Sequence, residues 1–505
     1  MAKVYSCSFV GLDCQTIEVQ ADISNGLPQF SIVGLGDTSV QESKERIRAS
    51  IKNSGLVFPP TRKTINLAPA QVRKQGSLFD LPIAISLLIA SGQISPHSLE
   101  KSMLIGELSL DGKIRGVNGV LAITHHAKEK GFKKIFLSKE NAQEAAFIEG
   151  IEIFAIASLN ELVEFLTGRL QISPYIKLSN YRNHRSINDI SYFRIVGLPK
   201  AKRALMISAA GHHNILFHGS PGRGKTILAR ALKDLLTDMS KEEILQTSKI
   251  FSVAGLTGKK TPLIFSRPFR EVHHTATTAA VIGGGGAFPK PGEISLAHNG
   301  VLLLDEITEF KKDVLESLRQ PLEDRYININ RANFSTQFPC NFILIGTMNP
   351  CPCGYLNDLK VQCKCSDRQV QNYQKKLSGP LLDRFDLFIE VEKTPFEEIL
   401  SANGPSAEEI EDLVSKIILA KKAQNQRFKS EKQITHNTDM NLKEIRKFCK
   451  LGTASSTLLN RAAEKLNLSN RSHLRVLKIA RTIADLENSD SIKTPHIAEA
   501  LQYRK

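Results

Sequence analysis

The chain has 505 residues, 41% of them hydrophobic and 23% charged, and a formal charge of +16. This composition excludes a disordered or fibrous chain, and the length allows roughly three or four globular domains. The longest apolar run, Leu81 to Ala90, is too short to span a bilayer, and eight cysteines in so long a chain do not make a disulfide framework. Met1-Ala-Lys-Val-Tyr-Ser-Cys7 lacks the apolar stretch of a secretory leader, so the expectation is a cytoplasmic protein with no membrane association.

Residues 1–170 alternate short apolar strands with helical patterns and carry no nucleotide motif. Residues 171–192 are polar, with Ser173-Pro174 and Asn183-His-Arg-Ser186, and read as a linker. Residues 193–400 read as an α/β core in which apolar strands end in charged or polar motifs. Residues 401–505 open on the loop signal Ser401-Ala-Asn-Gly-Pro-Ser406 and are helical thereafter, with Thr494-Pro495 starting the last helix. Residues 411–505 hold 19 Lys/Arg against 10 Asp/Glu. A basic balance of this kind suits a polyanion partner, nucleic acid above all, and equally describes a solvated helical surface.

The core opens on Gly219, Ser220, Pro221, Gly222, Arg223, Gly224, Lys225 and Thr226, directly after the apolar Ile215-Leu216-Phe217. This is a complete phosphate-binding loop between a strand and an amphipathic helix, the setting that gives the motif its meaning. Its backbone N–H groups and Lys225 suit the β- and γ-phosphates of ATP, and the Thr226 hydroxyl suits Mg²⁺. Val301-Leu-Leu-Leu304 reads as a buried parallel strand ending in Asp305 and Glu306. Asp305 is then expected to hold Mg²⁺ through water, and Glu306 to orient and polarise the attacking water.

A second apolar strand from Phe342 ends at Asn349, whose amide suits contact with the γ-phosphate and the water together. Arg384 stands just before a third strand, Leu387-Phe-Ile389. Its planar, permanently charged fork matches the equatorial oxygens of a transferring phosphoryl group, or else forms a local ion pair with Asp383 or Asp386.

Arg267-Pro-Phe-Arg-Glu-Val-His-His274, Gly283-Gly-Gly-Gly286, the run from Pro291 to Glu306, Met348-Asn-Pro-Cys-Pro-Cys-Gly354 and Gly379-Pro-Leu-Leu-Asp-Arg384 closely resemble the magnesium-chelatase-like AAA+ ATPases of the YifB/ComM type. The likeness extends into the tail from Arg471-Ser-His-Leu-Arg475 to Tyr503 and covers nearly the whole chain. It implies a ring ATPase, expected to be hexameric, whose active site is shared between neighbours. Asn349 matches the first sensor, Arg384 the arginine finger, and Arg471 the second sensor at the start of a lid helix. Two pore-facing elements are expected near Ala276–Pro291 and Tyr326–Thr336, with Arg325 and Arg331 as candidate DNA contacts or solvated tip residues. The family's activity is ATP-driven DNA translocation, with branch migration during integration of transforming DNA.

Cys351, Cys353, Cys363 and Cys365 form two C-x-C pairs that suit structural, four-coordinate Zn²⁺. The adjacent His273 and His274 are expected to point opposite ways on an extended segment, which disfavours a metal site there. The stretches Lys74–Ala84 and Gly106–Phe132 resemble the fold shared by the Lon protease domain and ribosomal protein S5. Asp80 stands at the position of the nucleophilic serine and Ile123 at that of the lysine, so a non-proteolytic scaffold is expected. The basic pairs Arg62-Lys63 and Arg73-Lys74 read as solvated loop charges or a DNA surface. Two competing functions share these motifs: a chelatase motor driving Mg²⁺ into a porphyrin with partner subunits, and a Lon-like ATP-dependent protease.

Overall fold

The computed structural model describes all residues except 1, 75, 177–191, 193–194, 259–260, 286–288, 332–333, 357, 359–360, 396–405, 432–433 and 505. Most of the expected linker therefore lies outside the described residues.

The first 156 residues contain a mixed seven-stranded sheet. Its spatial order is Gln29–Val33, Arg62–Ala68, Asp13–Ser24, Ala2–Val10, Ser102–Leu104, Lys134–Ser138 and Glu152–Ile156. Ala2–Val10 and Asp13–Ser24 form an antiparallel hairpin, and the last three strands run parallel. The apolar run from Leu81 folds as the helix Asp80–Ala90, buried on nearly every side against that hairpin. An all-round apolar helix can only sit inside a core.

The central sheet is fully parallel and has the order Phe269–Val272, Val301–Leu304, Ile343–Met348, Ile215–His218 and Leu387–Glu390. Val301–Leu304 and Ile343–Met348 are buried along their whole length, as strands covered by helices on both faces must be. Leu304 pairs with Gly346 and His218 with Met348, so the polar residues following these strands emerge at one edge. Ligands in open parallel sheets bind at this edge.

The C-terminal region is helical: Ala407–Arg427, Leu442–Phe448, Thr453–Lys465, Asn470–Leu486 and Thr494–Gln502. Its long helices start with Ser406 and Ser469, each accepting a backbone N–H of the first turn. Val476, Ile479 and Ile483 share one apolar cluster with Leu228, Leu303 and Ile345, so these helices pack on the sheet rather than standing apart. This is the α/β class with a helical C-terminal region that the sequence predicts. No described helix is long and apolar enough to cross a membrane.

The N-terminal sheet is docked on the central unit. Leu121, Phe147 and Ile148 join Leu263 in one buried cluster, Gly119 N–H donates to Ser252 O at 3.1 Å, and Lys241 pairs with Glu149 at 2.7 Å. Leu12, at the tip of the N-terminal hairpin, packs on the cluster holding Ile327, Ile329 and Phe338.

Candidate active site

The helix Lys225–Leu235 begins at Gly224, whose φ of 81° is a conformation side chains resist. Lys225 lies beneath the loop: its ammonium donates to Gly219 O at 2.6 Å, Ser220 O at 3.0 Å and Asn349 Oδ1 at 3.0 Å. Burial brings its pKa down to about 8, against the pull of Asp305 and Glu306. The expected lysine and first sensor thus meet directly.

Thr226 Oγ1 donates to the Asp305 carboxylate at 3.1 Å. Thr347, which sequence reasoning missed, donates its hydroxyl to Asp305 Oδ1 and accepts the Glu306 N–H at 2.9 Å. One signal could have found it: Thr347 is two residues before Asn349 on an otherwise apolar strand and therefore shares its face. Glu306 adopts a left-handed φ of 51° and is exposed. Glu306 and Asn349 line a cavity of about 530 Å³ together with Gln369, Tyr373 and Lys376.

The donor set fits ATP and Mg²⁺. Thr226 and Asp305 offer hard oxygens side by side, and Lys225 is a buried cation holding carbonyls that phosphate oxygens can replace.

Arg384 lies elsewhere. It is 7% exposed, and it pairs with neither Asp383 nor Asp386 but with Glu323, at 2.5 Å. Arg471 approaches the same Glu323 oxygen at 3.3 Å. Burial, and then repulsion from Arg471 and Arg475, lower the Arg384 pKa against the pull of Glu323. Arg384 and Glu323 face a second cavity of about 480 Å³, lined also by Arg325, Arg475 and Lys478, with no residue of the phosphate-binding loop among its walls.

The four cysteine sulfurs lie within 4.8 Å of one another. Cys351–Cys353, Cys353–Cys363 and Cys351–Cys363 are 3.3, 3.5 and 3.7 Å apart. Tetrahedral Zn²⁺ with Zn–S of about 2.3 Å needs sulfurs about 3.8 Å apart, so the set fits with small adjustments. Hydrogen bonds from Tyr355 and Lys364 N–H lower the Cys353 thiol pKa, whereas desolvation and the Cys353 and Cys351 sulfurs raise those of Cys363 and Cys365, so it is the sulfur geometry that fits a metal. The same loop grips the phosphate-binding loop, because Asp358 pairs with Arg223 at 2.8 Å.

Several expectations need correction. Arg325 sits at the root of the hairpin Tyr326–Arg331 and Phe334–Pro339, not at its tip. Its guanidinium is 3.7 Å from Asp439 of the C-terminal helical region. The Arg331 side chain lies outside the described residues. Ile327 and Ile329 are buried and anchor the hairpin. In the expected insert, Gly283–Gly284 pairs with Lys290–Pro291, while Gly286 lies outside the described residues. The rings of His273 and His274 approach to 4.2 Å instead of diverging, because the chain leaves the strand after Val272 and turns.

Lys63 and Lys74 are not solvated loop charges. Both are buried, Lys63 donating to Pro59 O at 2.7 Å and Lys74 to Pro69 O. Asp80 is buried as well, held by Arg46 at 2.8 and 3.2 Å and by Leu108 N–H. Burial raises its pKa to about 6 although Arg46 opposes the shift. Ile123 is fully buried within the helix Val120–Glu129.

Three family descriptions match the chain: "Subunit ChlI of Mg-chelatase" over residues 19–141, "Magnesium chelatase, subunit ChlI" over 191–399, and "Magnesium chelatase, subunit ChlI C-terminal" over 407–504. The chain is 40% identical to competence protein ComM of Haemophilus influenzae, over all of this chain and 97% of that protein. It is 39% identical to YifB of Escherichia coli, with the same shares covered. The magnesium-chelatase 67 kDa subunit of Heliobacterium mobile is 25% identical over 42% of this chain and 36% of its own length. With the parallel sheet, phosphate-binding loop and paired arginines in place, the chain belongs to the YifB/ComM family of magnesium-chelatase-like AAA+ proteins.

Proposed function

We propose that the protein is an ATPase that works as a ring, expected to be hexameric, and couples hydrolysis to movement along DNA. The observation that carries the ring reading is the division of the site. Lys225, Thr226, Asp305 and Asn349 form one connected cradle, whereas Arg384 and Arg471 meet on Glu323, and Arg384 and Glu323 line a different cavity. Arginines so placed suit the triphosphate of a neighbouring subunit.

In this reading Lys225 and the loop N–H groups hold the β- and γ-phosphates, and Thr226 and Asp305 hold Mg²⁺, which would neutralise phosphate charge. Glu306 polarises the attacking water, Asn349 orients it, and Arg384 from the neighbour meets charge on the transferring group. Loss of Glu306 is expected to be severe because positioning and electrostatics supply nearly all of phosphoryl-transfer catalysis.

DNA as partner is supported by the net charge of +16 and by the full-length likeness to ComM, which is named as a competence protein. Branch migration during integration of transforming DNA is the finer reading. The chelatase alternative draws on the family descriptions, but its likeness to the Heliobacterium subunit reaches under half of the chain. The protease alternative is opposed by Asp80, which is locked to Arg46, and by Ile123, which has no base. The cysteine set is proposed to hold one structural Zn²⁺ that braces the phosphate-binding loop.

The test is the ATPase rate with and without single-stranded, duplex and branched DNA, alongside Glu306→Gln. DNA should raise wild-type turnover, and Glu306→Gln should retain ATP binding while slowing hydrolysis at least about a hundredfold. Turnover indifferent to every DNA would remove the DNA reading, and near-normal hydrolysis by Glu306→Gln would remove the assigned water-polarising role.

A further inference from the structure

Glu323 lies in the short helix Arg319–Asp324, three residues before the hairpin strand Tyr326–Arg331. One of its carboxylate oxygens serves two guanidiniums, Arg384 at 2.5 Å and Arg471 at 3.3 Å. Arg384 also donates to Pro380 O at 3.1 Å, yet its Nε is buried without any hydrogen-bond partner. A guanidinium with one edge unserved in a cavity shared with Arg475 and Lys478 lacks an acceptor. Its fork is completed by a group presenting several oxygens, as phosphate does.

Glu323 is itself about half exposed, with 47% of its side chain accessible, so water competes for it and the pair can open. Arg325, next but one in the chain, is held by Asp439 of the helical region. Contacts from the arginine pair and from the helical region therefore converge within three residues at the hairpin root.

We infer that Glu323 is a positioning residue that holds Arg384 and Arg471 while no phosphate occupies the neighbouring site, and that a nucleoside triphosphate on the neighbour must displace it. This rests on the reading of Arg384 as a finger acting between subunits. Displacement exchanges one acceptor for another, carboxylate for phosphate, and breaks no covalent bond. The freed carboxylate leaves the arginines at the position from which the hairpin springs, so arrival of the neighbour's nucleotide is felt there first.

The test compares ATP dependence in the full-length wild type, Glu323→Gln and Glu323→Asp, with melting temperature measured for each. Glutamine keeps the shape and removes the charge that phosphate must outcompete. Half-saturating ATP should fall about fivefold, the scale of one partly exposed charged pair, and the Hill coefficient should fall with it. Glu323→Asp, which keeps the charge, should return both toward wild type. Half-saturation equal to or above that of wild type in a Glu323→Gln protein of normal melting temperature would overturn the inference, as would outright loss of turnover. Arg384→Ala is the separate control: if it hydrolyses ATP normally, the finger reading itself fails, whatever Glu323 does.

Discussion

Gly354 rests against Pro221: a β-carbon on the glycine would stand 2.6 Å from two carbons of the proline ring. The cysteine-bearing loop thus lies directly on the phosphate-binding loop. Gly354 also has a φ of 84°, which side chains resist. Gly354→Ala should cost about 1–2 kcal/mol of stability and push the phosphate-binding loop out of register. Titration with a fluorescent ATP analogue should give several-fold weaker binding, while an unchanged affinity would mean that the two loops move independently.

The Arg223–Asp358 pair makes a second tie between the same loops, so metal content and nucleotide binding should be linked. Freshly purified protein should contain about one zinc per chain, and Cys363→Ser should lower zinc content, melting temperature and ATP affinity together. Metal analysis that finds no zinc in protein purified without chelators would remove the metal from this account.

His298 offers a pH-dependent test of the core. Its Nδ1 accepts the Asn341 N–H at 3.0 Å, so this nitrogen must be unprotonated, and burial brings the ring's pKa down to about 4. The folded value lies below the ordinary 6.5, so the unfolded chain binds more protons as pH falls through this range. Stability from this group is present above pH 6.5 and is lost progressively as the pH falls toward 4, by about 3 kcal/mol in all. His298→Asn keeps an acceptor and cannot titrate, so denaturant unfolding at pH 7 and 4.5 should show a smaller pH loss in the variant. An equal loss would assign the acid sensitivity to other groups.

The residues legible in the sequence are those whose signal is local. Lys225 and Thr226 follow a glycine-rich loop, Asp305 and Glu306 end an unbroken apolar strand, and the cysteines announce themselves by spacing. Glu323 was not legible: it follows an ordinary polar helix pattern and gains meaning only because Arg384 and Arg471, 61 and 148 residues later, arrive at one of its oxygens. Arg325 was misplaced for the related reason that hairpin membership is visible in sequence, while the direction of a guanidinium at the hairpin root is decided by Asp439. Lys63 and Lys74 show the same limit. A lysine beside an arginine reads as surface, yet backbone carbonyls of Pro59 and Pro69 draw both ammonium groups inward.

Arg384 gives the sharpest test of a shared site. It lies in a cavity without phosphate-binding residues, so in the proposed ring it would act on the triphosphate of another subunit. Arg384→Ala should then bind ATP with nearly wild-type affinity, since Lys225 and the loop are untouched, and hydrolyse it at least about a hundredfold more slowly. Mixed with wild-type protein after verified subunit exchange, the variant should depress activity by more than its mole fraction, because each defective subunit spoils a neighbour's site in a coupled ring. Inhibition strictly proportional to the fraction added would mean that subunits hydrolyse independently. A variant that fails to bind ATP would instead place Arg384 in its own subunit's site, against the separation of the two cavities.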